Sequence, residues 1–221
     1  MDSKLPSRSA NLIKENRGFI VFLLLMVVFR SSFADWNQVP SGSMQPTIVE
    51  GDRILVDKLA YDLRIPLTHI SLMRVSEPTR GDIVIFDSEA ADNRLVKRVI
   101  GIPGDVVQLR DNRLYVNDVA ATYRGACTAD GSCLLREQLG ESQRHIRLQT
   151  LSPSPARSFG PVLVPADHFL VLGDNRDNSA DSRYIGFVPR SEIVGRSRRV
   201  ALSFNPDNYY LPRAGRYFKQ L

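Results

Sequence analysis

The 221-residue sequence is poor in the side chains that most often carry chemistry: two cysteines, three histidines and one tryptophan. Two cysteines cannot supply the four soft ligands of a structural zinc site. The histidines, His69, His145 and His168, sit apart from any serine-bearing motif, so a Ser-His-Asp triad has no pattern behind it. No internal repeat is present, and no long segment keeps a 3.6-residue apolar period, which excludes a mainly helical protein. Long apolar runs are scarce too. The one that stands out, GFIVFLLLMVVF from Gly18 to Phe29, has twelve residues. As a helix it reaches about 18 Å of a hydrocarbon core roughly 30 Å thick.

The length suffices for one ample domain or two small ones, and 43% hydrophobic residues can fill a core. Twenty-nine Lys and Arg against 24 Asp and Glu give a net charge of +5, suited to nucleic acid or to an anionic membrane face. The apolar run decides for the lipid bilayer and against nucleic acid. Extended from Arg17 to Trp36 it would span about 30 Å, with Arg30 snorkelling and Trp36 at headgroup level. A transmembrane helix over 17–36 is therefore expected. Lys4, Arg8, Lys14 and Arg17 outnumber Asp2 and Glu15 before it, placing the tail 1–16 in the cytoplasm and the rest outside. The same segment also fits a cleavable signal, with an apolar region from Phe19 and a small-x-small end at Ser32-Phe33-Ala34. Both readings export the remainder. In an exported domain Cys127 and Cys133, bracketing an Asp130-Gly131 turn, are expected to form a local disulfide, with two free thiols as the alternative.

Beyond Trp36, β-branched runs bounded by Gly, Pro and Asp predict strands at 53–56, 82–86, 95–100, 169–172 and 200–204. The alternating runs 106–110 and 113–117 flank Asp111-Asn112, a two-residue hairpin turn. The class is mainly β. From Ala120 the regularity fades, and Ser152-Pro153-Ser154-Pro155 reads as linker chemistry. Residues 120–164 are expected to form a smaller inserted cap lobe on a β core made of 37–119 and 165–221.

Three segments stand out: Pro40-Ser41-Gly42-Ser43-Met44-Gln45-Pro46-Thr47, the strand-and-turn Leu95 to Asp105, and Gly173-Asp174-Asn175-Arg176-Asp177-Asn178-Ser179-Ala180-Asp181-Ser182-Arg183. A hydroxyl nucleophile needs a base, and a lysine can serve if burial lowers its pKa. At the reference value of about 10.4 roughly a thousandth is neutral near pH 7.4, and at about 8 near a fifth. Lys97 lies inside an apolar strand; pattern alone leaves open whether it or Arg98 faces inward. The third segment is no calcium loop, because Arg176 or Ser182 falls where a ligand or glycine is required. Arg80-Gly81-Asp82 reads as a turn entering a strand.

Taken in order, these segments resemble bacterial type I signal peptidase, over most of the chain from about Val39 to Phe204. The resemblance implies a mainly β peptidase with an inserted lobe, needing no metal and no cofactor. It implies Ser43 as nucleophile, Lys97 as general base, and an oxyanion held by the Ser43 amide and the Ser41 hydroxyl. Ser179 would hydrogen-bond the base, with Asp181 and Arg183 as a supporting charge pair. Val39, Pro40, Met44, Ile48, Leu95 and Val96 would line a cleft for small side chains of an extended peptide, the Ala-x-Ala pattern. The segment Gly51 to Lys58 matches a further, structural family box, making Lys58 a poorer base than Lys97. Preprotein signal peptides would be the substrates. The protein is expected as a monomer in a bacterial cytoplasmic membrane, its catalytic part on the outer side. Three rivals remain: a dedicated Ser-Lys peptidase for one secretion or conjugation component, a repressor-type autoprotease, and a non-catalytic binding module. The second should begin with a helical DNA-binding domain where this chain has its apolar run, and the set Ser43, Lys97 and Ser179 argues against the third.

Overall fold

Beyond residue 33, β-branched runs punctuated by turn formers make strands the dominant regular element. The computed structural model describes residues 15–32, 34–65, 68 and 70–221. In chain order it shows α1 (Arg17–Ser32), β1 (Ala34–Gln38), β2 (Asp52–Asp57), β3 (Asp62–Arg64), β4 (Ser71–Arg74), β5 (Ile83–Ser88) and β6 (Asn93–Gly101). β7 (Val106–Arg110), β8 (Arg113–Val116), β9 (Val119–Ala120), β10 (Thr122–Cys127), β11 (Ser132–Leu139), β12 (Ser142–Gln149) and β13 (Phe159–Leu163) follow. β14 (His168–Leu172), the short α2 (Ser182–Ile185), β15 (Val188–Pro189), β16 (Ile193–Asn205) and β17 (Leu211–Pro212) complete it.

The main sheet runs β1-β2-β16-β5-β6-β14-β15, with β17 on β16. Its centre is buried on both faces, which explains why β5 reads as a continuous Ile-Val-Ile-Phe run rather than an alternating one. Ile83 and Ile85 pack with Val39, Met44, Ile48, Ile54, Val56 and Val200. Val84 and Phe86 pack with Tyr61, Val99, Phe169, Val171, Val188 and Ile193. A third core joins β6 and β14 to the sheet β13-β7-β8-β9 through Ile100, Leu170 and Leu172 against Val107, Leu109, Leu114 and Val116. Asp111 and Asn112 both take positive φ, 48° and 61°, the backbone that a two-residue primed turn requires.

Two expectations change. The helix stops at Ser32, after 16 residues. Ala34 to Gln38 is strand, with Trp36 opposite Leu55, so Trp36 is not part of a helix spanning 17–36. The cause is pairing: this stretch, whose Asp35, Asn37 and Gln38 suit hydrocarbon poorly, adds to β2 as the edge strand of the main sheet. Among the described residues no helix is long and apolar enough to cross a membrane. The expected tail, 1–16, lies almost wholly outside the described residues, and so does His69.

The stretch 120–164 is not irregular. β10, β11 and β12 form an antiparallel meander, closed at one end by the Cys127–Cys133 disulfide. Its period was hidden because inward positions are charged: Glu137 and Arg144 are buried there. The expected lobe boundaries also cut through a sheet, since β13 pairs with β7 and β9 with β8.

Candidate active site

After β1 the chain turns at Pro40 and Ser41 into a single 3₁₀ turn, Gly42–Met44. Apolar anchors set its depth. Met44 and Ile48 have no exposed surface, and Ile48 N–H donates to Met44 O at 3.0 Å. Gly42 matters for space as well as flexibility, since a Cβ there would lie 3.0 Å from the Gln45 side chain. Pinned at Met44, the turn presents Ser43 half-buried at the surface.

Lys97 comes from the middle of β6, opposite Val84 of β5. It is 3% exposed, and its Nζ donates to Ser43 Oγ at 2.8 Å and to Val96 O at 3.1 Å. Burial strips water from the ammonium and lowers its pKa from 10.5 to about 8. The carboxylates of Asp181 and Asp174 partly oppose that shift. Arg98, next in sequence, is buried too. Its guanidinium grips Asp174 with two hydrogen bonds of 2.8 and 2.7 Å and donates to Gly81 O at 2.8 Å. Lys97 thus faces inward, and so does Arg98, because at this point both faces of the sheet are covered.

The third segment underpins the serine turn. Asn175 N–H donates to Ser43 O and its side-chain amide to Gly42 O, each at 3.0 Å. Gly173 lies so close beneath that a Cβ there would stand 2.6 Å from Ser43 O and 2.2 Å from Ser179 Oγ. Asp181 and Arg183 form a buried bidentate pair, both bonds 2.8 Å, and Asp181 also accepts from Gly173 N–H at 2.9 Å. The Ser179 hydroxyl is enclosed and without a hydrogen-bond partner among the described residues; the bond expected from it to Lys97 is not made. Ser41 Oγ stands 3.4 Å from Ser43 Oγ, beyond a normal hydroxyl hydrogen bond, and caps no amide of the turn.

Of the six residues expected to line a cleft, Pro40, Leu95 and Val96 keep accessible surface. Val39, Met44 and Ile48 are buried in the core. They cannot line a cleft, because the apolar contacts that anchor the turn use up their surface. Lys58 is engaged with Asp35 at 3.7 Å. His145 is exposed on β12, and His168 bonds Ala166 O through Nδ1. Among the described residues no three His, Cys, Asp or Glu side chains are disposed to hold a metal ion.

Two further groups at the site have no motif to mark them in the sequence. Arg147 of β12 donates to Gln45 Oε1 at 2.6 Å, while its backbone bonds Asp174 O and Arg176 N–H, tying the cap sheet to both the serine turn and the third segment. Beneath, Arg144 and Arg176 converge on the buried Glu137, each 2.6 Å from Oε1, and Tyr123 donates to its other oxygen at 2.8 Å. The two guanidiniums outweigh desolvation and hold Glu137 down at about 2. Arg176 sits in the third segment, which gave some hint; Arg147 carries no local signal.

The family described as Signal peptidase, peptidase S26 matches residues 12–202. Signal peptidase I of Pseudomonas fluorescens is 38% identical over 93% of this chain and 78% of its own. Signal peptidase I of Pseudomonas aeruginosa is 35% identical with the same coverage of both, 93% and 78%. A crystal structure of a signal peptidase I from Enterococcus faecalis V583 is 32% identical over 55% of this chain and 97% of that one, with a TM-score of 0.37.

Proposed function

The chain belongs to the S26 family of signal peptidases and is a serine endopeptidase that cleaves signal peptides; on that premise we propose that Ser43 and Lys97 form its catalytic dyad. The carrying observation is the 2.8 Å contact between Ser43 Oγ and a lysine amine whose pKa burial lowers to about 8. While protonated, Nζ donates to Oγ. Once neutral, it accepts the hydroxyl proton as Oγ attacks the scissile carbonyl. The resulting oxyanion is held by the Ser43 N–H, which lies in the first residues of a 3₁₀ turn and needs no acceptor within it, and by the Ser41 hydroxyl. Collapse of the adduct breaks the C–N bond and passes the proton from Nζ to the leaving amine. Water, deprotonated by the same amine, then hydrolyses the acyl-enzyme. To Ser179, whose enclosed hydroxyl has no hydrogen-bond partner among the described residues, this reading gives the part of orienting the base.

The substrate lies extended beside Pro40, Leu95 and Val96, pairing along a strand edge. Cleavage after an Ala-x-Ala site, with small side chains at alternate positions of the extended peptide, completes this reading. Support for a membrane anchor is the apolar surface of α1: Phe19, Val21, Phe22, Leu23, Leu25, Met26 and Val27 are all exposed, a cost in water that lipid removes. With basic residues preceding it, the catalytic part faces the outer side of a bacterial cytoplasmic membrane.

The test is cleavage of a preprotein bearing an Ala-x-Ala site by detergent-purified protein, against Ser43→Ala and Lys97→Ala, with sequencing of the new N-terminus. A cut after the last Ala, lost in both folded variants, is expected. Cleavage surviving in folded Lys97→Ala removes lysine as base.

A further inference from the structure

The β3–β4 ribbon is built unlike the rest of the molecule. Ile70, Leu72, Met73 and Val75 are each between 54% and 63% exposed, and every residue of β4 is exposed. Leu72 and Met73 are neighbours in a strand and so point to opposite faces. Folding the ribbon down onto the domain would cover only one of them. A two-stranded ribbon is marginal in water, and contiguous exposed apolar side chains mark a surface that meets something else.

Its root, by contrast, is fixed. Asp62 is buried and bonded by Arg190 Nη1 at 2.9 Å and by Arg64 Nη2 at 3.1 Å, and Arg64 also donates to Ile193 O at 2.5 Å. Val75 N–H closes the ribbon on Tyr61 O at 2.9 Å. The position of this root is informative. Ala34, just after α1, pairs with Asp57, the last residue of β2, and Asp57 leads through a single turn, Lys58–Ala60, into β3. Lys58 in that turn reaches Asp35 of β1. The apolar helix and the apolar ribbon therefore leave the main sheet from the same end.

We propose that the β3–β4 ribbon is a second membrane-contacting element, dipping Ile70, Leu72, Met73 and Val75 into the outer leaflet beside α1. The inference rests on the reading of α1 as an anchor. Lipid fits better than a protein groove because acyl chains surround both faces of a ribbon, whereas a groove covers one. The unpaired edges of two strands forbid deep burial, so contact stops at the interfacial region. A helix alone leaves the domain free to swing; a second contact fixes its tilt and the height of Ser43 above the bilayer.

The experiment uses the full chain in a Trp36→Phe background, with single tryptophan probes introduced by Leu72→Trp, Met26→Trp and Leu134→Trp. Each is reconstituted in vesicles of phosphatidylethanolamine and phosphatidylglycerol containing acyl-chain-brominated lipid. Loss of emission is expected at positions 72 and 26 and not at 134 on the cap sheet. No loss at 72 with loss at 26 overturns the ribbon contact, keeps the anchor, and leaves the ribbon to a protein partner. No loss at 26 with loss at 72 overturns the anchor, and with it the ribbon as a second contact beside α1, though the ribbon still meets lipid. No loss at either overturns both. In parallel, Leu72→Ser/Met73→Ser is expected to slow cleavage of a vesicle-embedded preprotein and not of a water-soluble peptide. Equal rates on both substrates count against the ribbon's role.

Discussion

At Lys97 the burial that suits the proposed general base also costs stability. The folded chain holds the proton less tightly than the unfolded one, with a pKa of about 8 against 10.5. Below pH 8 both states are protonated and the fold bears the whole desolvation cost, about 3 kcal/mol. Between 8 and 10.5 the unfolded chain binds more protons, so stability rises with pH across that window. Lys97→Met is thus expected to be inactive yet more stable than wild type at pH 7, by roughly 1–3 kcal/mol, with the gap closing by pH 10.5. Urea unfolding at the two pH values measures it, and a less stable variant at pH 7 overturns the assignment. In the active protein, kcat/KM on a short peptide should climb with pH and level off above about 8 as the amine becomes neutral. A flat profile, with chemistry limiting turnover, excludes lysine as base. Gly173 gives a steric test at the same scale. In Gly173→Ala the new Cβ meets Ser43 O at 2.6 Å and Ser179 Oγ at 2.2 Å, so the turn or the serine must move. Loss of most activity is expected, with Gly173→Ser no better. Wild-type rates in Gly173→Ala would mean that the turn tolerates displacement.

At the scale of elements, the cap meander acts on the site through one strand. β12 carries Arg147, whose side chain bonds Gln45 just past the serine turn and whose backbone bonds both neighbours of Asn175. A charge-assisted hydrogen bond is worth about 1.5–3 kcal/mol, so Arg147→Ala should lower kcat about tenfold or more with little change in KM, the mark of lost positioning. Arg147→Lys should recover part. A rise in KM alone would place Arg147 in substrate binding. This meander carries little apolar alternation in the sequence, because its inward positions include Glu137 and Arg144, paired with Arg176 from another part of the chain. A charged residue looks like surface until its partner is known.

At the scale of the molecule, α1 meets the domain mainly through β1, while the main sheet closes its own core. A chain shortened to 34–221 is therefore expected to keep the fold and to cleave a water-soluble peptide at the wild-type rate, as steady-state assays on the purified fragment will show. Loss of activity there would make α1 part of the catalytic fold.

Much was decided by the sequence itself. The strand runs, the Asp111-Asn112 turn, the serine turn, the local disulfide and the family are legible because each rests on neighbours in the chain: alternation, backbone preference, a short loop, a contiguous motif. The tertiary structure alone decided that Lys97 and Arg98 are both buried, that Trp36 belongs to a strand, that Met44 and Ile48 are core, and that Glu137 sits between two arginines. Ser43 and Lys97 meet across a separation of 54 residues. Such a distance is set by the pairing of β5 with β6 and by Asn175 and Gly173 under the turn, and long-range pairing leaves no periodic trace in either segment that it joins.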